Sequence, residues 1–138
     1  MLNRATRKGM AVVELAIIVP VLVFLTIGMI EVARGLMVKE VLSNAARKGC
    51  RTAILPSGST SSVTADVNQV LSDNTINPNY ATVTVMVNGK VADASTAVQH
   101  DQISVKVSIP VSQVAWITPF FLPGTDIESD AIIMMRQR

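Results

Sequence analysis

A chain of 138 residues with 12 basic and 10 acidic side chains, a net charge of +2 and 49% apolar residues has material for one membrane segment and one small domain. Aromatic residues make up only 4%, so few large anchors are on hand for a core, and the lone cysteine, Cys50, excludes an intrachain disulfide and any multi-cysteine metal site. The positive charge comes partly from the basic N-terminus and from Arg136 and Arg138 at the other end. No lysine-rich face is interleaved with aromatics, which sets nucleic-acid partners aside.

Arg4, Arg7 and Lys8 precede an apolar stretch over residues 10–30. About 20 such residues suffice for a helix to cross a hydrocarbon core of about 30 Å. The basic cluster before it predicts a cytoplasmic N-terminus with the remainder exported. An ordinary secretory signal has a shorter apolar core followed by a small-x-small cleavage site, and Glu31-Val32-Ala33-Arg34 offers none. Glu14 breaks the apolar pattern. A carboxylate at mid-bilayer costs on the order of 3 kcal/mol on insertion scales, so it needs either a cation partner or a position close enough to the end of the span to reach the headgroups.

The run Arg7-Lys8-Gly9-Met10-Ala11-Val12-Val13-Glu14-Leu15 resembles a type IV prepilin processing site. With Val13-Glu14-Leu15-Ala16, Pro20, the stretch Gly28-Met29-Ile30-Glu31-Val32-Ala33-Arg34 and the stretch Ser43-Asn44-Ala45-Ala46-Arg47-Lys48-Gly49-Cys50-Arg51, the first 50 or so residues resemble the TadE-like minor pseudopilins of the tight-adherence (Tad/Flp) pilus system. The resemblance implies a bacterial inner-membrane precursor cut after Gly9 by a prepilin peptidase, with Met10 as the new N-terminus and Glu14 as the assembly glutamate at the fifth mature position. It also implies other pseudopilins and a pilus-assembly platform as partners. Leu15 departs from the family habit of an aromatic after the glutamate.

Beyond Glu31 the sequence turns polar and keeps helical spacing: Met37, Val38, Val41, Leu42 and Ala45 recur on one stripe. The predicted helix runs from Met10 to about Thr52, with softening expected at Pro20 and Gly28, and Leu55-Pro56 and Ser57-Gly58-Ser59 end it. Cys50 reads as a small buried residue of this helix.

Ser59-Thr60 offers caps for a short helix with Val63, Val67, Val70 and Leu71 on one face, ended by residues 74–78. The period then becomes two. Val83, Val85 and Val87 alternate with polar neighbours up to the hairpin signal Asn88-Gly89, and Ile103, Val105, Val107 and Ile109 form the most regular strand, stopped by Pro110. Residues 93–101 form a polar connection. The apolar stretch 111–123, with Trp116, Phe120 and Phe121, reads as a compact plug whose aromatics enter the core. After Gly124, Ile127, Ala131, Ile133 and Met135 are expected to share one strand face.

The predicted fold class is α+β: a basic leader over residues 1–9, a membrane-spanning and amphipathic helix over 10–53, and an exported head over 54–138 with three or four antiparallel strands covered by the upper half of the long helix, as in a pilin. No Ser-His-Asp pattern, glycine-rich phosphate loop or zinc spacing is present. His100 beside Asp101 reads as solvated surface, and Asp126, Glu128 and Asp130 read as a charged sheet edge, lacking the glycine and paired ligands of a calcium loop. The function expected is therefore assembly, with no catalytic residue, cofactor or metal. Its partners would be the peptidase, companion pseudopilins, the assembly platform and inner-membrane lipid. The alternative is an uncut, signal-anchored periplasmic binding module.

Overall fold

The computed structural model describes residues 4–116, 120 and 123–136, with residues 4–9 through the backbone alone. Helix α1 (Arg4–Ala53) is 50 residues long and passes through Pro20 as one helix, beginning inside the expected leader. Its upper part is the first layer of the head: Val38, Leu42, Ala45, Ala46, Cys50 and Ala53 are all buried. Val41 packs beside them, whereas Met37, expected on the same stripe, is exposed.

Helix α2 (Thr60–Asp73) starts at the predicted cap. The Ser59 hydroxyl accepts from the Ser62 amide and the Ser62 hydroxyl accepts from the Ser59 amide, a reciprocal cap that satisfies two otherwise orphaned donors. Val63, Val67 and Leu71 then face α1 and the sheet, with Val70 at the border. The two helices touch where α1 carries Gly49. A β-carbon there would lie 2.9 Å from Cγ2 of Val67 and 3.1 Å from Cγ1 of Val63, so the side chain is absent because the neighbouring helix occupies its space. A polar border closes this seam, with Thr52 donating to Asp66 and Lys48 3.7 Å from the same carboxylate. Exposed pairs of that kind contribute about 0–1 kcal/mol, while each fully buried branched side chain contributes about 1.5–3. Apolar packing, not charge, holds the helices together.

The sheet is antiparallel, in the order β2-β1-β3-β4, with β5 also on β3. Strand β1 (Thr82–Val87) turns at Asn88 and Gly89, both with positive φ (49° and 78°), into the two-residue β2 (Lys90–Val91). This is the geometry an Asn-Gly hairpin demands. Strand β3 (Gln102–Pro110) is central: Ile103, Val105, Val107 and Ile109 point into the core, and Ser104, Lys106 and Ser108 point away. Helices α1 and α2 therefore cover one sheet face, which is the predicted α+β layering.

The far edge of β3 departs from expectation. It is paired by two short strands, β4 (Asp126–Glu128) along Ser108 to Pro110 and β5 (Ile132–Met135) along Gln102 to Val105. Between them the amide of buried Ser129 donates to the Val107 carbonyl (2.8 Å), and its hydroxyl accepts from the Val107 amide (2.9 Å). The interruption shifts the pleat by one. Ile127 faces the core before it, Ile132 and Met134 face the core after it, and Ile133 and Met135 are exposed. The single alternating face expected for Ile127, Ile133 and Met135 is thus corrected, because a one-residue offset moves every following side chain to the other face.

Arg136 is no part of a solvated basic tail. It is 6% exposed, and its guanidinium donates to four backbone carbonyls: Nη1 to Ala94 (3.0 Å) and Ala97 (2.9 Å), Nη2 to Leu55 and Pro56 (both 2.9 Å). It ties the end of α1 to the short 3-10 turn Ala94–Thr96 and to β5. The planar fork suits this use, since its donors diverge in fixed directions. Asp101, nearby, is held below the usual carboxylate range, chiefly by the Asn88 side-chain amide, then by the Val98 amide, and also by the Arg136 charge.

Replacing Arg136 with Met leaves four carbonyls without their donor, and the expected loss is about 2–4 kcal/mol of head stability. Arg136→Lys restores only part of it, because one ammonium cannot reach both carbonyl pairs. Denaturation of the full chain in detergent, followed by limited proteolysis or circular dichroism, measures both variants.

Candidate functional site

The sequence points to the lower half of α1. The Gly9 to Met10 peptide lies in the early turns of the helix, preceded on the same backbone by Arg7 and Lys8. Met10 and Glu14 stand four residues apart, so they share one helix face about one turn from each other. Both are exposed, and Glu14 is in no salt bridge among the described residues. The structure thus brings the predicted cleavage position and the predicted assembly glutamate onto one face of one helix.

From Met10 to Phe24 every residue is exposed. Val12, Val13, Leu15, Ile17 and Val21 are exposed and spread around the helix. A helix apolar on all sides is stable only in an apolar surrounding. α1 is long and apolar enough to cross a membrane.

A second region, which the sequence reading missed, lies where the head meets this stretch. The segment after β3 forms a 3-10 turn (Val111–Gln113) with Val111 and Val114 buried, then runs along α1. Nε of Arg34 donates to the Val114 carbonyl at 3.0 Å, and the guanidinium sits 4.7 Å from the centre of the Trp116 ring. The Phe120 amide donates to the Glu31 carboxylate at 3.3 Å, and the Phe120 ring lies 6.2 Å from that of Phe24. Trp116 is nevertheless 69% exposed and Phe120 67% exposed. The expectation that these aromatics fill the core is corrected, because Val111, Val114 and Ile127 already close that end of the sheet. Phe121 lies outside the described residues. The available signal was Arg34 and Glu31, the first charges after a long apolar run, which are placed to meet polar atoms of a returning loop.

The remaining candidates are structural. The Cys50 thiol is buried, reaches toward the carbonyls of Ile103 and Ile132 (both 3.5 Å), and burial pushes its pKa up, so it is poorly nucleophilic. His100 is exposed in a turn with φ of 71°. The acidic residues of the far edge diverge: Glu128 pairs with Lys106 (2.6 Å) and Asp130 with Lys39 (3.4 Å), and no cluster of three potential metal-binding side chains occurs among the described residues.

No curated protein and no solved structure matches the chain. Residues 9–51 match the model of the family described as TadE-like protein. That segment begins at Gly9, contains Glu14 and the apolar span, and ends on the part of α1 that is buried in the head. Over that segment the chain is similar to TadE-like proteins.

Proposed function

We propose that the protein is a minor pseudopilin, a structural subunit of a Tad/Flp-type pilus or secretion machine, anchored in the bacterial inner membrane by α1 with its head in the periplasm. The observation that carries this reading is one coincidence of position. The TadE-like match opens at Gly9, a basic pair stands before it, and the sole acidic residue of the apolar span is the fifth from Met10.

Each part has a physical reason. Hydrolysis of the Gly9 to Met10 peptide bond leaves a carboxylate on the departing leader and an ammonium on Met10. Glycine presents the peptidase with backbone free of a side chain. The new ammonium, on the same helix face as Glu14, is a partner for that carboxylate within its own chain or on a neighbouring subunit. Pairing offsets part of the cost of holding either charge in hydrocarbon. The apolar helix stores the subunit in the bilayer, and the head, rigidly continuous with it through α1, supplies contacts during assembly.

Intact-mass measurement on protein from a host with the matching peptidase is expected to give a chain beginning at Met10, and Gly9→Leu is expected to leave full-length precursor in the membrane. A mature species retaining Arg4 would sink the prepilin reading and favour an uncut anchor. A reporter active only outside the cytoplasm, fused after Arg138, is expected to be active, as the basic N-terminal flank requires. Glu14→Gln keeps size and removes charge, so insertion and at least part of the processing persist while recruitment into the assembly fails. An unpaired Met10 ammonium in a low-dielectric contact costs a few kcal/mol, about 3–5 where a buried pair is broken. Cross-linking and pilus production by the processed variant read this out; normal assembly would strip Glu14 of the role.

A further inference from the structure

We infer that Trp116 and Phe120 form a membrane-interface foot of the head: the two rings insert into the headgroup and outer acyl region of the leaflet that faces it. The inference rests on the reading of α1 as a membrane span and adds a second, independent point of lipid contact.

The argument is one of depth. At about 1.5 Å of rise per residue, Phe24 lies about 21 Å along α1 from Met10, while Glu31 and Arg34 lie about 32 and 36 Å along it. A hydrocarbon core is about 30 Å thick. A span that starts near Met10 therefore still has Phe24 in the acyl region and brings Glu31 and Arg34 to the headgroups. The head reaches down to both levels. Phe120 packs on Phe24 at 6.2 Å while its amide is held by Glu31, and Trp116 lies over Arg34 at 4.7 Å. A ring in contact with Phe24 cannot be in bulk water if Phe24 is in lipid.

Exposure and chemistry agree with that placement. Both rings are about two-thirds exposed to whatever surrounds the head, although buried alternatives exist a few residues away at Val111 and Val114. Phe24, the ring that Phe120 meets, adjoins the exposed apolar side chains of Val21 and Leu25 on α1. Tryptophan is enriched at the membrane–water boundary, where its apolar body sits in lipid and its N–H meets headgroups, and a neighbouring arginine is suited to phosphate. A second copy of the chain would need a complementary face for the rings. A lipid boundary needs none.

The chain contains one tryptophan, so Trp116 reports on itself. The test reconstitutes the full chain into phosphatidylcholine vesicles whose acyl chains carry bromine at shallow or deep carbons, selects floated vesicles, and measures quenching of Trp116 against aqueous acrylamide. The expected result is blue-shifted emission, strongest quenching by the shallow bromines, and acrylamide quenching reduced at least about twofold relative to the denatured chain. Phe120→Glu is expected to reverse the preference while flotation persists.

Flotation with Trp116 open to acrylamide and untouched by bromine overturns the foot and leaves the span standing. A Trp116 shielded from both quenchers that becomes bromine-accessible only on dilution of protein in lipid assigns the rings to a second copy, which also overturns it. Loss of flotation by the unaltered chain removes the span itself and the foot with it.

Discussion

Buried small side chains on the upper half of α1 set the terms for the rest of the molecule. Ala45, Ala46, Gly49, Cys50 and Ala53 let α2 and the central strand β3 approach the helix axis closely, and Val38 and Leu42 fill the space farther down. The consequence is that the apolar lower half of α1 and the head are not two units joined by a linker. The residues that would be a linker are the core. With only four percent aromatics, the head has no large side chains to substitute for that packing, so the sheet depends on the helix to cover its apolar face.

Because α1 cannot move relative to the sheet without opening the core, force or displacement applied at the span is transmitted to the head through helix backbone and packed side chains. Arg136 works in the same direction. Its four carbonyl contacts connect the turn that follows α1 to the 3-10 turn at 94–97 and to the end of the final strand, which closes the end of the head away from the Trp116 and Phe120 rings. The head is therefore secured on α1 at two places, through a buried guanidinium near Ala53 and through Arg34 and Glu31 near the apolar stretch.

What the sequence revealed and what it hid follow the range of the forces involved. The α2 cap, the Val63, Val67 and Leu71 face, the Asn88-Gly89 turn and the alternation of β3 are local, decided within a few residues, and each was legible. The resemblance of the first third to TadE-like proteins was legible as well, because it rests on a local pattern, and residues 9–51 match that family's model. The pleat offset at Ser129 was hidden: it is created by two hydrogen bonds to Val107, a residue far off in sequence, and the alternating spelling of residues 127–135 carries no mark of it. Arg136 was hidden because its partners are backbone carbonyls of two segments far off in sequence, 55–56 and 94–97, which have no sequence signature. Trp116 and Phe120 were misread because a large apolar side chain was assumed to have a single apolar destination.

That last error points to the physical situation of the whole chain. On the proposed reading the protein stands on a membrane and has two apolar phases, its own core and the bilayer, and side chains of the same type divide between them by height along α1 rather than by hydrophobicity. On the proposed reading the division is provisional. A subunit drawn out of the bilayer into an assembly exchanges lipid for neighbouring helices along residues 10–30, and Glu14 then needs a partner at the new contact more than it did near the headgroups. The rings at the foot of the head face the same exchange one level higher. They are joined to Glu14 by one continuous helix, so a span that leaves lipid draws the foot with it. Recruitment must then supply contacts to both levels together, a requirement that favours an assembled neighbour whose own helix and head rise in the same register.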